Sequence, residues 1–171
     1  TRSIPVNLLQ DDIPGADKEV ILNNSISLLE YKLADGIQKI KRQTRQVVAF
    51  TSGQGELNPL QTASLENDLS NSYAVNRINL DSIVQIPSEI KVLIIAKPTE
   101  EFSEAHLFML DQYIMNGGHV MFLIDPLIVA LDSINQNKSY IPPPYNLGLD
   151  PLLFKLGARV NPNLVLDLQC T

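Results

Sequence analysis

Five consecutive residues, Ser52-Gly53-Gln54-Gly55-Glu56, concentrate more potential chemistry than any other stretch of this sequence. A serine can be a nucleophile, a glutamate an acid or base, and amides beside glycine can approach a ligand closely. Lys97, Thr99 and Asp125 join them as candidates, because they too follow apolar runs that read as strands. The pattern limits what they can do. A Ser-His-Asp hydrolase wants Gly-x-Ser-x-Gly at a strand-to-helix turn, and Ser52-Gly53-Gln54-Gly55 does not supply it. Nor is the loop a Walker sequence or a three-glycine dinucleotide turn, and its glutamate opposes an anion. Glu56 and Asp125 could act as acid and base only if burial separated their pKa values. Asp125 before Pro126 reads more simply as a turn, or as the cap of a short helix from Leu127 to Leu131. His106 is expected on the solvent side of a helix and His119 in a structural role at the opposite, amino-terminal edge of the sheet. These residues therefore form a candidate ligand or partner rim, with no catalytic set, metal cluster or cofactor signature.

The elements around them explain why they should converge. Val47 to Phe50 is a continuous apolar run, the pattern of a strand covered on both faces. Asn58, Pro59 and Gln61 have the types and spacing of an N-cap, a first helical residue and the far side of a capping box, so a helix should run from Pro59 to Asn71 with Leu65 and Leu69 inward. Tyr73 to Leu80 reads as a second strand and Ile83 to Ile90 as a connection. Lys91 to Ala96 is the clearest buried strand. Ser103 should cap a helix from Glu104 to Asn116, with Leu107, Leu110 and Ile114 on one face and Gly117 ending it. His119 to Ile124 is the next strand, Leu149 to Leu156 a short helix and Leu164 to Leu168 a final strand, with a long loop from Asn135 to Gly148. Such alternation predicts an α/β fold, a doubly wound and mostly parallel sheet of flavodoxin-like or amidotransferase-like type. Ligands of such sheets sit beyond the carboxyl ends of the strands, where Ser52 to Glu56, Lys97 to Thr99 and Asp125 fall.

Residues 1–45 read as an arm followed by an amphipathic helix, and residues 46–171 as the α/β domain. In the helix, Ile26, Leu29, Leu33, Ile37 and Ile40 recur at one-face spacing, a packing stripe or else a seam for a partner or second copy. Gly36 weakens the case for one straight helix. A net charge of -6 repels phosphate backbones, which argues against nucleic acid as a partner. The single cysteine, Cys170, excludes an intrachain disulfide or a cysteine cluster. No apolar run approaches the roughly 18 residues of a membrane span. The first residue is Thr and the last residues are strand-like, so the chain reads as an excised piece, truncated at its carboxyl end.

Several ordered phrases also resemble one family. They are Ile4-Pro5-Val6-Asn7-Leu8-Leu9, Leu29-Glu30-Tyr31-Lys32-Leu33-Ala34, Val48-Ala49-Phe50-Thr51-Ser52-Gly53-Gln54-Gly55-Glu56, Asp111-Gln112-Tyr113-Ile114-Met115-Asn116-Gly117-Gly118, and Leu156-Gly157-Ala158-Arg159-Val160-Asn161. Together they are similar to the GldG family, the gliding-motility-associated auxiliary components of ABC transporters in Bacteroidota, within the wider ABC-transporter auxiliary domains. The resemblance implies a class I glutamine amidotransferase-like fold without enzymatic activity. It also implies a membrane-anchored protein whose soluble part lies on the periplasmic side and works with a permease and, indirectly, its ATPase. The amidotransferase elbow cysteine is absent, and Gln54 stands where relatives often carry histidine. The expectation is a non-enzymatic interaction domain, with a homo-oligomer as one possible state and membrane attachment through anchors outside this sequence. A solute-binding component feeding the transporter is the alternative, followed by an envelope hydrolase using Glu56 and Asp125.

Overall fold

The computed structural model describes residues 5–8, 17–41, 44–129 and 141–164. They fall into two compact units, Thr1–Arg45 and Gln46–Thr171. In the first, two helices, α1 (Lys18–Ser27) and α2 (Leu29–Lys41), meet at Leu28. The stripe that marks the helix in the sequence begins at Ile26, eight residues after α1 starts at Lys18. The helix begins earlier, and Leu22, four residues before Ile26, extends the same stripe and is likewise exposed. The expected weak point, Gly36, lies intact inside α2. A Cβ there would come within 2.9 Å of Val6, so the glycine lets the arm lie directly on the helix. All five residues of the apolar stripe are exposed.

The second unit is a four-stranded, all-parallel sheet in the order β2-β1-β3-β4, the doubly wound flavodoxin-like arrangement. Its strands are β1 (Val47–Ser52), β2 (Ala74–Asn79), β3 (Ile90–Ala96) and β4 (His119–Leu123). Helices α3 (Pro59–Ser70), α4 (Glu104–Met115) and α5 (Asp150–Lys155) complete it. The two faces of the sheet differ. One buries Ala49, Leu93 and Ile95 with Leu110 and Tyr113 of α4 and Leu152 and Leu153 of α5. Full burial of such side chains stabilises by roughly 1.5–3 kcal/mol each. The other is thinner: Val48, Phe50, Ile94 and Ala96 are its buried core, with Leu69 of α3 packed against them.

The thin face has a polar fastening. Leu65, expected to point inward, is exposed, whereas Thr62 is buried. Thr62, Glu66 and Leu69 share one helical face, and the Arg77 guanidinium donates to the Thr62 hydroxyl, the Glu66 carboxylate and the Leu57 carbonyl while lying over the Phe50 ring. The Thr62 hydroxyl bond, opposed by partial burial and assisted by Arg77, holds the Glu66 carboxyl below its ordinary range.

Helix ends follow the sequence closely. The Asn58 side chain accepts from the amides of Leu60 and Gln61 while the Gln61 side chain accepts from the Asn58 amide, closing the capping box. Gly117, at φ 86°, ends α4 in a Schellman turn, with Gly118 N–H donating to Tyr113 O and Gly117 N–H to Ile114 O. Beyond β4, the described part of the expected helix, Leu127 to Val129, is not helical. Leu127 instead bridges Pro144 in antiparallel fashion, and Ile128 N–H donates to Pro143 O. With φ fixed and no amide hydrogen, Pro143 and Pro144 hold an extended segment whose carbonyls remain free to accept. The final strand and Cys170 lie outside the described residues, apart from Leu164, which is exposed and not in a strand. No described helix is long and apolar enough to cross a membrane.

Candidate functional site

Parallel pairing brings the carboxyl ends of β1, β2, β3 and β4 to one edge, and that edge carries the expected rim. The β1 loop is built inward. Gly53 and Gly55 take φ of 117° and 70°, conformations that a side chain would strain. Space is also closed to them: a Cβ at Gly55 would lie 2.0 Å from Thr99 Oγ1, and one at Gly53 would lie 2.7 Å from Asp81 Oδ2. Ser52 Oγ donates to Ile78 O at 3.1 Å, which ties the hydroxyl to the neighbouring strand. Gln54 is only 3% exposed. Its carbonyl accepts from the amides of Thr99 and Glu100, both at 3.0 Å, its own amide donates to Glu56 Oε2 at 2.7 Å, and Thr99 Oγ1 donates to Gly55 O at 3.1 Å.

The Gln54 side chain leads to two residues that the sequence reading did not place in the site. Its Nε2 donates to Asp81 Oδ2 at 3.3 Å, and Asp81 Oδ1 pairs with His106 Nε2 at 3.0 Å. Asp81 sits in a single 3-10 turn, Leu80–Ser82, that follows β2. Its amide donates to Asn79 Oδ1, an Asx turn that aims the carboxylate across the edge. His106 is not solvent-facing as expected: it is 8% exposed, with Phe102 packed edge-on at 6.3 Å. It occupies the third position of α4, where Ser103 Oγ accepts from its amide and its Nδ1 accepts from the Ser103 amide at 3.3 Å. A capping box usually carries Glu or Gln there. Accepting at Nδ1 places the ring proton on Nε2, directed at Asp81, so both nitrogens are engaged. The signal was present in Ser-x-x-His before an apolar helix, and in Asn-x-Asp after a strand, but neither pairing could be matched across the sheet from spacing alone.

The other expected members form a separate pair. Lys97, immediately after β3, has φ 52°, a left-handed conformation costly for any residue with a side chain. Its Nζ lies 3.1 Å from Asp125 Oδ2, with both side chains about half exposed. Glu56 and Asp125, the possible acid and base, therefore answer to different groups: Glu56 folds back on its own loop and Asp125 faces Lys97. His119 is exposed at the other end of the sheet, where β4 begins. Among the described residues, no group of three or more His, Cys, Asp or Glu could hold a metal ion. Two buried acceptors, Gln54 Oε1 and Glu56 Oε1, have no hydrogen-bond partner.

Fold and site together define a class: a flavodoxin-like parallel α/β domain whose strand-end polar groups bind mainly one another. The chain belongs to the family described as ABC-type uncharacterized transport system, whose model matches residues 45–171, and it is accordingly an auxiliary domain of such a system. No curated protein matches it. Among solved structures it is similar to the "mmIFT52 N-terminal domain", at 24% identity and a TM-score of 0.39, over 46% of this chain and 35% of that one. The match thus spans about a third of that chain's length.

Proposed function

We propose that the chain is a non-enzymatic interaction domain of an ABC transport complex associated with gliding motility, held on the periplasmic side of the inner membrane by anchors outside this sequence. Its direct partner is the permease, and through it the ATPase. The observation that carries this reading is that most of the rim's donors are tied to groups within the fold. The Ser52 hydroxyl, Gln54 Nε2 and both His106 nitrogens are spent on internal bonds, while Gln54 Oε1 and Glu56 Oε1 stay buried without a partner. A rim fastened in this way offers a fixed shape with a few exposed groups, Thr99, Lys97, Asp125 and Asp81, suited to recognition more than to turnover. The hydrolase alternative loses support because Glu56 and Asp125 are held by different partners.

The experiment is affinity capture of the intact anchored protein from a gliding bacterium, comparing the natural sequence with Thr99→Arg and Lys97→Glu/Asp125→Lys variants. Loss of permease from the captured material, with folding unchanged, is the expected result. Full capture and normal gliding in both variants would sink the rim reading.

A further inference from the structure

At the end of the sheet away from the rim, where β3 and β4 begin, the second unit carries a groove of about 520 Å³. That is the size of a small-molecule site, roughly 300–1,000 Å³. Ile86, Ile90 and Tyr113 line it and are buried. Val84, from the connection before β3, and Phe108, from α4, stand along it and are 95% and 65% exposed. Large apolar groups beside an apolar floor favour any ligand that removes them from water. The floor is fixed. Tyr113 OH donates to Ile90 O at 3.0 Å, and a Cβ on Gly118 would lie 2.3 Å from the Tyr113 ring, so the glycine is what allows the ring its place. Gly117, with open space around it, leaves the groove's end free of side chains.

The charges along the groove are one-sided. Its polar lining is Gln85, Ser88, Gln112 and Asn116, all neutral, together with Lys91, and no acidic residue lines it. Among the described residues Lys91 has no ion-pair partner. A lone cation beside an apolar trough runs against the chain's net charge of -6. We propose that this groove binds an amphiphile with a linear apolar body and a single anionic end, the body against Ile86, Phe108 and Met109 and the anionic end at Lys91. An ammonium acts as a point charge, so carboxylate and phosphate ends are both admitted by this chemistry. The proposal stands on the groove alone and is independent of the rim.

The test titrates the 171-residue chain with sodium decanoate, decyl phosphate and decanol, each below its aggregation threshold, by calorimetry and amide chemical shifts. Expected is saturable one-to-one binding of at least one anion, with shifts at Ile86, Gln112 and Gly117, and about tenfold or more weaker binding of decanol, which lacks the charge contact with Lys91. Binding of one anion alone supports the proposal and names the head group. Lys91→Glu, at an exposed position, should bring the anions down to the decanol level and leave decanol unchanged. Phe108→Ser, also exposed, should weaken all three, whereas Lys97→Glu at the rim should weaken none. Absence of saturable binding, equal affinity for decanoate and decanol, or unchanged anion affinity in Lys91→Glu would each overturn it.

Discussion

The two ends of the sheet are built on opposite principles. At the carboxyl end, polar side chains are drawn inward and bind one another: Gln54 is buried, and Asp81 joins the β1 loop to α4 through His106. At the amino end, apolar side chains stand in water beside a neutral, open trough with one cation. The lesson is that a strand-end loop with reactive residue types can serve as a fastener, while a stretch with no recognisable motif forms the better-shaped cavity. Residue type alone pointed to the rim and left the groove unmarked.

The largest test of this contrast is Tyr113→Ala. It empties the groove floor and should cost about 3–5 kcal/mol, as for large aromatic truncations, read from a urea midpoint. Tyr113→Phe, which removes only the hydroxyl bond to Ile90 O, should cost about 1 kcal/mol. A Tyr113→Ala loss below that of Tyr113→Phe would show that the floor is not a packed element. Burial raises the Tyr113 phenol above its ordinary range, opposed by a backbone bond at His119, so the ring should also resist alkaline ionisation.

Glycines sharpen the contrast next. Gly55→Ala meets both a positive φ and the Thr99 hydroxyl, and should cost about 2–3 kcal/mol. Gly117→Ala meets only the positive φ, in open space, and should cost about 1 kcal/mol. Equal losses at the two positions would mean that the β1 loop has room to yield, and that the rim is not the rigid end.

How much of this could be read from the sequence depended on whether the determining partner lay nearby in the chain. The strands β1 and β3, the Asn58 and Ser103 caps and the Gly117 terminus rest on local periodicity or on three-residue spacings, and they were legible. The burial of His106 was not, because it depends on Asp81, which reaches it only through the packing of two crossovers. The inward face of α3 was only half read for the same reason: Leu69 packs on the sheet as expected, but Leu65 does not. An apolar count chose Leu65, whereas Arg77, a residue of β2, selected the polar face of Thr62 and Glu66. The groove had no motif at all, since it arises where α4, the β2–β3 connection and two glycines happen to leave space.

The Arg77 clamp also bears on the rim, because it holds Leu57 O at the exit of the β1 loop. Glu66 has a folded-state pKa below its ordinary value of 4.5. A carboxyl of that kind adds stability above the unfolded-state pKa, and the contribution is lost as pH falls through the folded-state value. Acidification below about 4.5 should therefore weaken the fold partly through this residue. Glu66→Gln should flatten that part of a stability-against-pH curve while leaving the neutral-pH limb parallel to the original. An unchanged acid limb would show that the clamp contributes only packing.

The smallest expected effect is the most informative about the rim. Lys97 adopts a left-handed backbone conformation immediately before Pro98, at the end of the central strand β3, and its side chain pairs with Asp125 in partial exposure. The exposed pair is worth about 0–1 kcal/mol. The backbone conformation costs a residue with a Cβ about 1–2 kcal/mol, a cost that glycine escapes while adding about 0.5–1 kcal/mol of unfolded-state freedom. Lys97→Ala keeps the strain and loses the pair, so it should be mildly destabilising. Lys97→Gly loses the pair and relieves the strain, so it should exceed Lys97→Ala in stability by about 0.5–1 kcal/mol and approach the natural sequence. Retention of a strained lysine where glycine folds as well is the signature of a side chain kept for contact with something outside the fold. Permease capture by the anchored protein should therefore fall in both variants, although only Lys97→Ala loses stability. Capture that tracked stability instead, restored in Lys97→Gly and weakened in Lys97→Ala, would return Lys97 to a purely structural role and leave Thr99 and Asp81 as the exposed groups of the rim.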